Sequence, residues 1–424
     1  MKMNRKLCAL CLCVLMLLSL VGCGESSSQN NDGWTVIRFW NGFTGKDGET
    51  MDEIVAQFNE EFAEQKIKVV ADKLPWDTLF TKLLATSSNT KNAPHLVAMS
   101  ASRISGMTEK GILQPMDGIE EYLGVTAEDY LDMAWDAGVL DGTRYGFPID
   151  VHPTAMYYNK DIISEDELPK TWEEFLAICK EKTKDGVCGW AVPSMYSIAK
   201  DVYLNMLYQN GGSVFDANNN PAYTSDAGIA ALQYMTDLVY KEKVSPEDVG
   251  AGGDYTLFVQ GRTAFYFDGP WVINQFGLLD EDCPYNIGVA PCPASTGENG
   301  TSFAGSHQFT MVKATVTDQK TKEACYTFMK YVSDNAYAWA LAGQVPAKKS
   351  VLESEEYKAL EPLRAFTEMA YRVDLGEIEF SNWYECYNGL GVAVSNAISG
   401  LMSPEEALNT AATEFLQWKA EEER

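Results

Sequence analysis

Three short apolar runs stand in succession after residue 35: Val36-Ile37-Arg38-Phe39-Trp40, Ile67-Lys68-Val69-Val70 and Leu96-Val97-Ala98-Met99. Their length and their β-branched and aromatic residues are typical of strands. Both intervals between them carry apolar residues at helical spacing: Met51, Ile54, Val55, Phe58 and Phe62 in the first, and Leu79, Phe80, Leu83 and Leu84 in the second. Strand–helix alternation at this spacing predicts an α/β fold with a parallel sheet that is covered on both faces.

The carboxyl end of the first strand is a candidate ligand side. In open parallel sheets, ligands bind beyond the carboxyl ends of the strands. Trp40 and Asn41 close strand one, and the loop Phe43-Thr44-Gly45-Lys46-Asp47 follows directly. The sequence therefore predicts Trp40, Asn41, Lys46 and Asp47 near a ligand, with core packing as the alternative for Trp40.

Length and charge exclude several classes of protein. A chain of 424 residues is expected to hold two or three domains at about 100–200 residues each. Its 46% hydrophobic and 22% charged residues exclude global disorder. With 60 acidic and 33 basic side chains the net charge is −27, which disfavours nucleic-acid binding and electrostatic attraction to an anionic membrane.

The N-terminus resembles a lipoprotein signal. Lys2, Arg5 and Lys6 precede an apolar run from Leu7 to Val21, which is shorter than the about 20 residues that span a bilayer. Leu20-Val21-Gly22-Cys23 resembles a bacterial lipobox, in which the cysteine is diacylated and becomes the mature N-terminus. Residues 1–22 are then a signal peptide and 23–33 a lipidated tether. A plain secretory signal with an incidental cysteine is the alternative.

Cleavage at this position changes both the charge and the cysteine count. Residues 1–22 carry three basic and no acidic residues, so the mature chain has 30 basic and 60 acidic residues, a net charge of −30. Besides Cys23, six cysteines remain: Cys179, Cys188, Cys283, Cys292, Cys325 and Cys386. An exported location permits disulfides, and the pairs 179/188 and 283/292 are close in sequence. Free thiols remain the alternative.

Catalytic signatures are absent from the sequence. It contains no Gly-x-Ser-x-Gly, no His-Glu-x-x-His and no phosphate-binding Gly-rich loop. Three histidines leave few combinations for a zinc site. A pair of glycosidase carboxylates, which need only lie about 5–10 Å apart in space, is neither excluded nor supported by the sequence.

Four regions occur in a characteristic order along the chain: Ala93-Pro94-His95-Leu96-Val97; Gly111-Ile112-Leu113-Gln114-Pro115-Met116; the set 145–148, 157–161 and 169–175; and Gly261–Phe265 with Asp268-Gly269-Pro270-Trp271. On these regions, and over nearly all of residues 34–424, the chain resembles the extracellular solute-binding proteins of bacterial ABC importers, in the sugar-binding group that includes maltose-binding protein. His95 stands where the family usually has Asp.

The resemblance implies two α/β lobes of the periplasmic-binding-protein type (class II), with a ligand cleft between them. The N-terminal lobe would comprise residues 34–149 and 297–348, and the C-terminal lobe residues 150–296 and 349–424. The chain would cross between lobes near residue 150, at 291–301 and at 347–350. Hinge closure around ligand is expected at these crossings.

Sugar clefts use aromatic faces to cover the C–H face of a pyranose and fixed polar groups to bind its hydroxyls. Trp271, which follows a Gly-Pro turn, is the strongest aromatic candidate, and core packing is its alternative. A further candidate is Trp76, at a loop-to-helix junction. We also expect one of three aromatic residues near the C-terminus to face the ligand: Trp383, Tyr384 or Tyr387. The polar candidates are Lys46, Asp47, Asp150, His152 and His307, with a capping or turn role as the alternative for Asp150.

The leading hypothesis is a lipid-anchored, monomeric receptor that captures a sugar and delivers it to the transmembrane subunits of an ABC permease. We expect no enzymatic activity, cofactor, metal or nucleic-acid partner. One alternative is a receptor for a peptide, polyamine or other cationic solute, which would need several unpaired acids in the cleft. Another is an anchored glycoside hydrolase, which would need one acid of raised pKa opposite a second carboxylate.

Overall fold

The computed structural model describes residues 33–86, 91–194, 198–295, 302–372 and 383–422. Its strands, in chain order, are β1 Thr35–Asn41, β2 Ile67–Lys73, β3 Leu96–Ser100, β4 Val139–Leu140, β5 Thr143–Arg144, β6 Gly146–Pro148, β7 Asp150–Pro153, β8 Ala155–Asn159, β9 Cys188–Trp190, β10 Thr263–Asp268, β11 Ile287–Ala290, β12 Ala304–Gly305, β13 His307–Met311 and β14 Val345–Pro346.

The α-helices, in chain order, are α1 Gly45–Glu61, α2 Trp76–Thr86, α3 Ile104–Glu109, α4 Ile119–Leu123, α5 Asp132–Asp136, α6 Trp172–Lys182, α7 Ala199–Gln209, α8 Asp226–Tyr240, α9 Gly253–Val259, α10 Gln319–Asp334, α11 Ala336–Leu341, α12 Lys349–Leu352, α13 Glu355–Lys358, α14 Arg364–Ala370, α15 Trp383–Ile398 and α16 Pro404–Glu422. The three strands and two helices predicted between residues 36 and 99 are all present.

The first sheet has the strand order β2-β1-β3-β13-β6. Strand β1 runs parallel to β2 and β3, as predicted from the strand–helix alternation. Strand β13, more than 200 residues later in the chain than β3, pairs with it antiparallel through His307↔Ser100. The sheet is therefore mixed, because β13 enters it from the opposite direction.

Both faces of this sheet are buried. Ile37 and Phe39 point to one face, where Phe39 contacts Phe328 of α10 at a ring distance of 5.5 Å. Trp40, Val97 and neighbouring residues point to the other face and pack with α2. This two-sided burial is the reason that the strands read as continuous apolar runs rather than as alternating ones.

The second sheet, β11-β8-β10-β9, is built from residues 155–290 and has its own core. Strand β8 pairs antiparallel with both β10 and β11. Helix α6 packs on this sheet through Phe175, whose ring lies 5.0 Å from that of Phe265. A capping box starts this helix, since the side chains of Thr171 and Glu174 each accept a hydrogen bond from the other residue's backbone N–H.

A third sheet of short strands, β12-β7-β14, joins the segments that pass between the two large sheets. Gly305 pairs with His152, and Pro346 pairs with Asp150. These strands lie near the three predicted crossings. At the third crossing, the strand that pairs with β7 is β14, Val345–Pro346, which ends just before the predicted residues 347–350. The lobe boundaries remain a prediction, and residues 296–301 of the second crossing lie outside the described residues.

The six cysteines after Cys23 are all free thiols, so neither local disulfide is formed. Cys23 and most of the tether lie outside the described residues. Within the described ranges, every helix is too short or too polar to cross a membrane.

Candidate functional site

A cleft of about 530 Å³ lies where the three sheets meet. Its walls come from the loop after β1 (42–47), the end of β3 (100–102), the third sheet (152–154 and 303–307) and the turn after β10 (271–275). Single residues from α2, α7, α15 and the segment before β14 complete it. Chain segments that are distant in sequence therefore form one concave surface.

The loop after β1 is shaped by Asn41. The side-chain oxygen of Asn41 accepts a hydrogen bond from the Phe43 N–H at 3.2 Å, and Asn41 is fully buried. Gly42 permits close packing of Trp76, because a Cβ at residue 42 would lie 2.2 Å from the indole. Asn41 thus positions the loop and does not line the cleft.

Trp76 and His307 form one aromatic wall of the cleft. Their rings are stacked, with centroids 5.3 Å apart and an interplanar angle of 9°. Phe43 contacts both rings edge-on. The predicted cleft residues Trp76 and His307 are therefore brought together, although they are 231 positions apart in the sequence.

Asp150 lies beneath this wall, fully buried and outside the cleft lining. Its carboxylate accepts hydrogen bonds from the Trp339 indole N–H at 2.8 Å and from the His307 backbone N–H at 3.0 Å. Nδ1 of His307 and Nδ1 of His152 lie 3.0 and 3.3 Å from it. Burial alone would raise the pKa of the Asp150 carboxyl, but the two histidines hold it well below its ordinary value.

His152 and His307 both line the cleft, with ring centroids 4.4 Å apart. Because the ionised Asp150 carboxylate only accepts hydrogen bonds, Nδ1 of each ring carries the proton that faces it, and Nε2 is the nitrogen left for other partners. Burial, followed by electrostatic repulsion from the neighbouring His307 ring, lowers the pKa of His152. Asp150 therefore sets the tautomer and orientation of two groups that could bind hydroxyls.

Among the described residues, Asp150, His152 and His307 are the group whose ligand atoms are close enough for a metal, all within 4.8 Å of one another. The carboxylate already accepts hydrogen bonds from an indole, a backbone amide and the two rings. The cluster is therefore satisfied as a hydrogen-bond network.

The opposite wall is built on Trp271, which is half-buried. Asp268 accepts a hydrogen bond from the Gly269 N–H at 2.8 Å, and the Tyr157 hydroxyl donates to the Gly269 carbonyl at 2.8 Å. Residue 269 must be glycine for the indole to lie against it, because a Cβ there would be 2.1 Å from the Trp271 ring. Pro270 then begins a 3₁₀ turn. These contacts hold Trp271 at the cleft surface.

Tyr387 of α15 also lines the cleft. Its hydroxyl donates to Asp201 at 2.6 Å, and Lys200 Nζ lies 3.1 Å from the centre of its ring. Tyr384 is outside the lining, where the Arg103 guanidinium covers its ring at 2.8 Å. Of the three predicted aromatic candidates here, Tyr387 reaches the cleft and Tyr384 does not, while the side chain of Trp383 lies outside the described ones.

Gln344 is a cleft residue that sequence reasoning missed. It is 1% exposed, and its Nε2 donates to Asp47 at 2.8 Å. Gln344 lines the cleft, and its buried Oε1 has no hydrogen-bond partner among the described residues. Burial raises the pKa of Asp47 to about 7, although the hydrogen bond from Gln344 by itself would lower that pKa. The sequence carries no signal for Gln344, because its place in the cleft depends on contact with Asp47, 297 positions away.

The predicted residues fall into two groups. Those that line the cleft are Lys46, Asp47, Trp76, His152, Trp271, His307 and Tyr387. Those that do not line it are Trp40, Asn41, Asp150 and Tyr384. Ligand contact stays a prediction for the first group, while the second group is not part of the lining.

His95 occupies the position of the family's usual acid. Its Nδ1 accepts a hydrogen bond from the Arg38 N–H at 2.9 Å, at the point where β1 and β3 meet. Burial lowers the pKa of His95 to about 4, so the ring is neutral and its Nδ1 can accept. A carboxylate could accept the same backbone hydrogen bond, which explains how histidine fits this position.

Comparison with known proteins is consistent with this architecture. The family model described as bacterial extracellular solute-binding protein matches residues 43–339. The galactooligosaccharide-binding protein of Bacillus subtilis is 26% identical over 428 residues, 97% of each chain. The arabinooligosaccharide-binding protein of Halalkalibacterium halodurans is 26% identical over 344 residues, 77% of this chain and 74% of the relative.

Two solved structures illustrate the likeness of fold. The sugar-binding protein MalE from Xanthomonas citri superimposes with a TM-score of 0.77 and 22% identity, over 91% of this chain and 98% of the other. The GacH receptor of Streptomyces glaucescens gives a TM-score of 0.76 and 22% identity, over 90% and 97%. The expected two-lobed α/β fold of the periplasmic-binding-protein type is thus confirmed.

Proposed function

The chain belongs to the bacterial extracellular solute-binding proteins, and from that membership we propose that it binds a neutral sugar or oligosaccharide between its lobes. The observation that carries the proposal is the composition of the cleft. Two tryptophans, Trp76 and Trp271, face a surface that mixes hydrogen-bond donors with acceptors. Aromatic faces together with mixed polar groups suit a pyranose, which is apolar on its faces and polar at its rim.

The charges of the cleft favour a sugar over a cationic solute. A cation site would need unpaired acids, but Asp47 is bonded by Gln344 and Asp201 by the Tyr387 hydroxyl. Two histidines and Lys46 add donor or acceptor capacity to the same surface. The names of the relatives point in the same direction, since they are described as binding proteins for galacto- and arabinooligosaccharides.

A thermal-shift screen tests the proposal directly. Galacto-, arabino- and maltooligosaccharides are compared with polyamines and short peptides on the mature chain. A saccharide at about 100 times its Kd should stabilise the fold by about 2.7 kcal/mol. A shift with polyamines or peptides and with no saccharide would contradict the proposal. Chromatography of the same mixtures checks that no saccharide is hydrolysed, which separates binding from glycosidase activity.

The proposed function includes delivery to an ABC permease from a lipid anchor. Cys23 follows a lipobox-like sequence, and residues 24–33 are polar and suited to a tether. Cys23→Ser should release the protein from membranes with its sugar affinity unchanged. If the variant stays in the membrane fraction, the anchor lies elsewhere.

Closure of the two lobes is the proposed coupling of binding to delivery. The short strands of the third sheet are the hinge in this proposal, which adopts the lobes 34–149 with 297–348 and 150–296 with 349–424. A ligand shifts an open–closed equilibrium only by its difference in affinity for the two forms. Small-angle scattering at saturating saccharide should show a smaller radius of gyration, and an unchanged radius would argue against closure.

A further inference from the structure

Arg103 and Tyr384 make a contact that joins the parts of the protein built on the two large sheets. Arg103 ends the 3₁₀ turn Ala101–Arg103, which follows β3 of the first sheet. Tyr384 lies in the first turn of α15, a helix that packs into the core of the second sheet through Cys386 and Leu390. The guanidinium carbon of Arg103 lies 2.8 Å from the centre of the Tyr384 ring. A cation from one side therefore covers an aromatic face from the other.

The contact stands beside the cleft. Residues 100–102, which directly precede Arg103, line the cleft. So does Tyr387, which lies about one helical turn after Tyr384. Neither Arg103 nor Tyr384 belongs to the lining or to the third sheet, whose strands join the segments that pass between the two large sheets. A rotation about the third sheet that opened the cleft would therefore separate Arg103 from Tyr384.

Arg103 is also held on its own side of the cleft. Its guanidinium carbon lies 4.3 Å from the centre of the ring of Phe80, which is buried between α2 and the first sheet. The buried Nε of Arg103 has no hydrogen-bond partner among the described residues. Burial lowers the pKa of the guanidinium, and attraction to three neighbours acts in the other direction: Tyr384, Glu385 and Asp77. Arg103 thus stacks on one ring from each side.

We propose that Arg103 and Tyr384 form a latch, which stabilises the closed form and so raises the affinity for a saccharide that neither residue touches. The proposal rests on the proposed function, sugar binding with closure of the lobes, and adds to it a positioning pair outside the cleft lining. A guanidinium is attracted to an aromatic face, most strongly where water is excluded. Because the pair forms only in the closed protein, its free energy favours closure together with that of the saccharide.

Arg103→Met tests the latch, because it removes the guanidinium and keeps an apolar chain against Phe80. The probe is the galacto-, arabino- or maltooligosaccharide that gives the largest shift in the thermal-shift screen. Its Kd should rise by about 3- to 30-fold. The rise should come from faster dissociation at a nearly constant association rate, since the latch forms after the saccharide has bound. Stopped-flow tryptophan fluorescence measures both rates.

Further variants separate the latch from a general effect of charge. Arg103→Lys keeps the charge without the planar face and should recover part of the affinity. Tyr384→Leu should raise the Kd as Arg103→Met does, and the double variant should be no worse than either single one, because each change alone breaks the latch. Lys322→Met is the matched control. Lys322 lies 5.4 Å from the centre of the Tyr326 ring, but both residues belong to α10, so the Kd should not change.

The outcomes distinguish failure of the latch from failure of the proposed function. If the wild type binds the saccharide and Arg103→Met leaves its Kd unchanged, the latch is overturned and sugar binding stands. Effects that add in the double variant, an equal rise in Lys322→Met, or a rise that comes from slower association would overturn it as well. Denaturant unfolding verifies that each variant is folded. If no saccharide of the screen binds the wild type, the proposed function is contradicted, and the latch with it.

Discussion

Two strand ends of this protein each present a tryptophan, and the two tryptophans have opposite roles. Trp40 is still within β1, where it pairs with Asp72 and Val97, and it is 2% exposed. Trp271 follows the last paired residue of β10, Asp268, by three positions and is half-buried at the cleft. Inside a strand the alternation of side chains dictates the direction of the indole, whereas beyond the strand a turn does.

The contacts of the two residues agree with this difference. The Trp40 indole donates to Asp72 at 3.1 Å and packs with Leu79 and Leu83. Trp271 lies against glycine backbone and faces His152 at a ring distance of 6.1 Å. Of these two tryptophans, the one beyond the last ladder residue lines the cleft and the one within the ladder does not.

Trp40→Ala should give the largest effect, on stability. Removing a buried tryptophan should lower the free energy of unfolding by about 3–5 kcal/mol. The saccharide Kd of the folded fraction should stay near the wild-type value. Denaturant unfolding and calorimetric titration measure the two quantities, and Trp40→Phe is the milder control. A large rise in Kd with unchanged stability would reverse the roles assigned to the two tryptophans.

Asp150→Asn should affect stability and affinity together, because Asp150 orients both histidines from below. Breaking a buried charged network should cost about 3 kcal/mol. The pKa of Asp150 is lowered in the folded state, so its contribution is complete above the unfolded value of about 3.9 and is lost as the pH falls further.

Unfolding curves between pH 2 and 7 check the role of Asp150. The wild type should lose stability relative to the variant only in the acidic range. If the stability of the two proteins changed with pH in the same way, the neighbours of Asp150 would not stabilise its ionised form as described.

Trp271→Ala should leave stability nearly intact and weaken binding. Covering a sugar face buries about 60–100 Å² of apolar surface, which corresponds to roughly 1.5–2.5 kcal/mol. The saccharide Kd should therefore rise by about 10- to 70-fold. A melting temperature far below the wild type, with an unchanged Kd, would place Trp271 in the core beside Trp40.

Gln344→Met should give the smallest effect. It removes the side-chain amide at nearly constant length, and with it both the unpartnered Oε1 and the hydrogen bond to Asp47. One neutral hydrogen bond to a ligand contributes about 0.5–1.5 kcal/mol. The Kd should rise by about 2- to 12-fold. Gln308→Met is the matched control, because Gln308 is also buried with an unpartnered Oε1 but lies outside the cleft. Equal Kd values for both variants would remove Gln344 from the site.

Local patterns were sufficient for much of the architecture. The alternation of strands and helices from residue 36 to 99, and the capping box at Thr171, depend on residues within a few positions of one another. The hairpin of β4 and β5 turns at Asp141 and Gly142, whose φ angles are 49° and 74°, and an Asp-Gly pair between two short strands is typical of such a turn. Such features follow from spacing alone.

The floor of the cleft was decided by the tertiary structure. Asp150 meets His307 and Trp339, which are 157 and 189 positions away, and these contacts turn it inward rather than towards a ligand. Gln344 becomes a cleft residue through Asp47, 297 positions away. No periodicity links such partners, because the folded sheets alone bring them together. The sequence by itself thus determined the elements and the loops that carry the site, whereas the direction of each polar side chain depended on partners from distant segments.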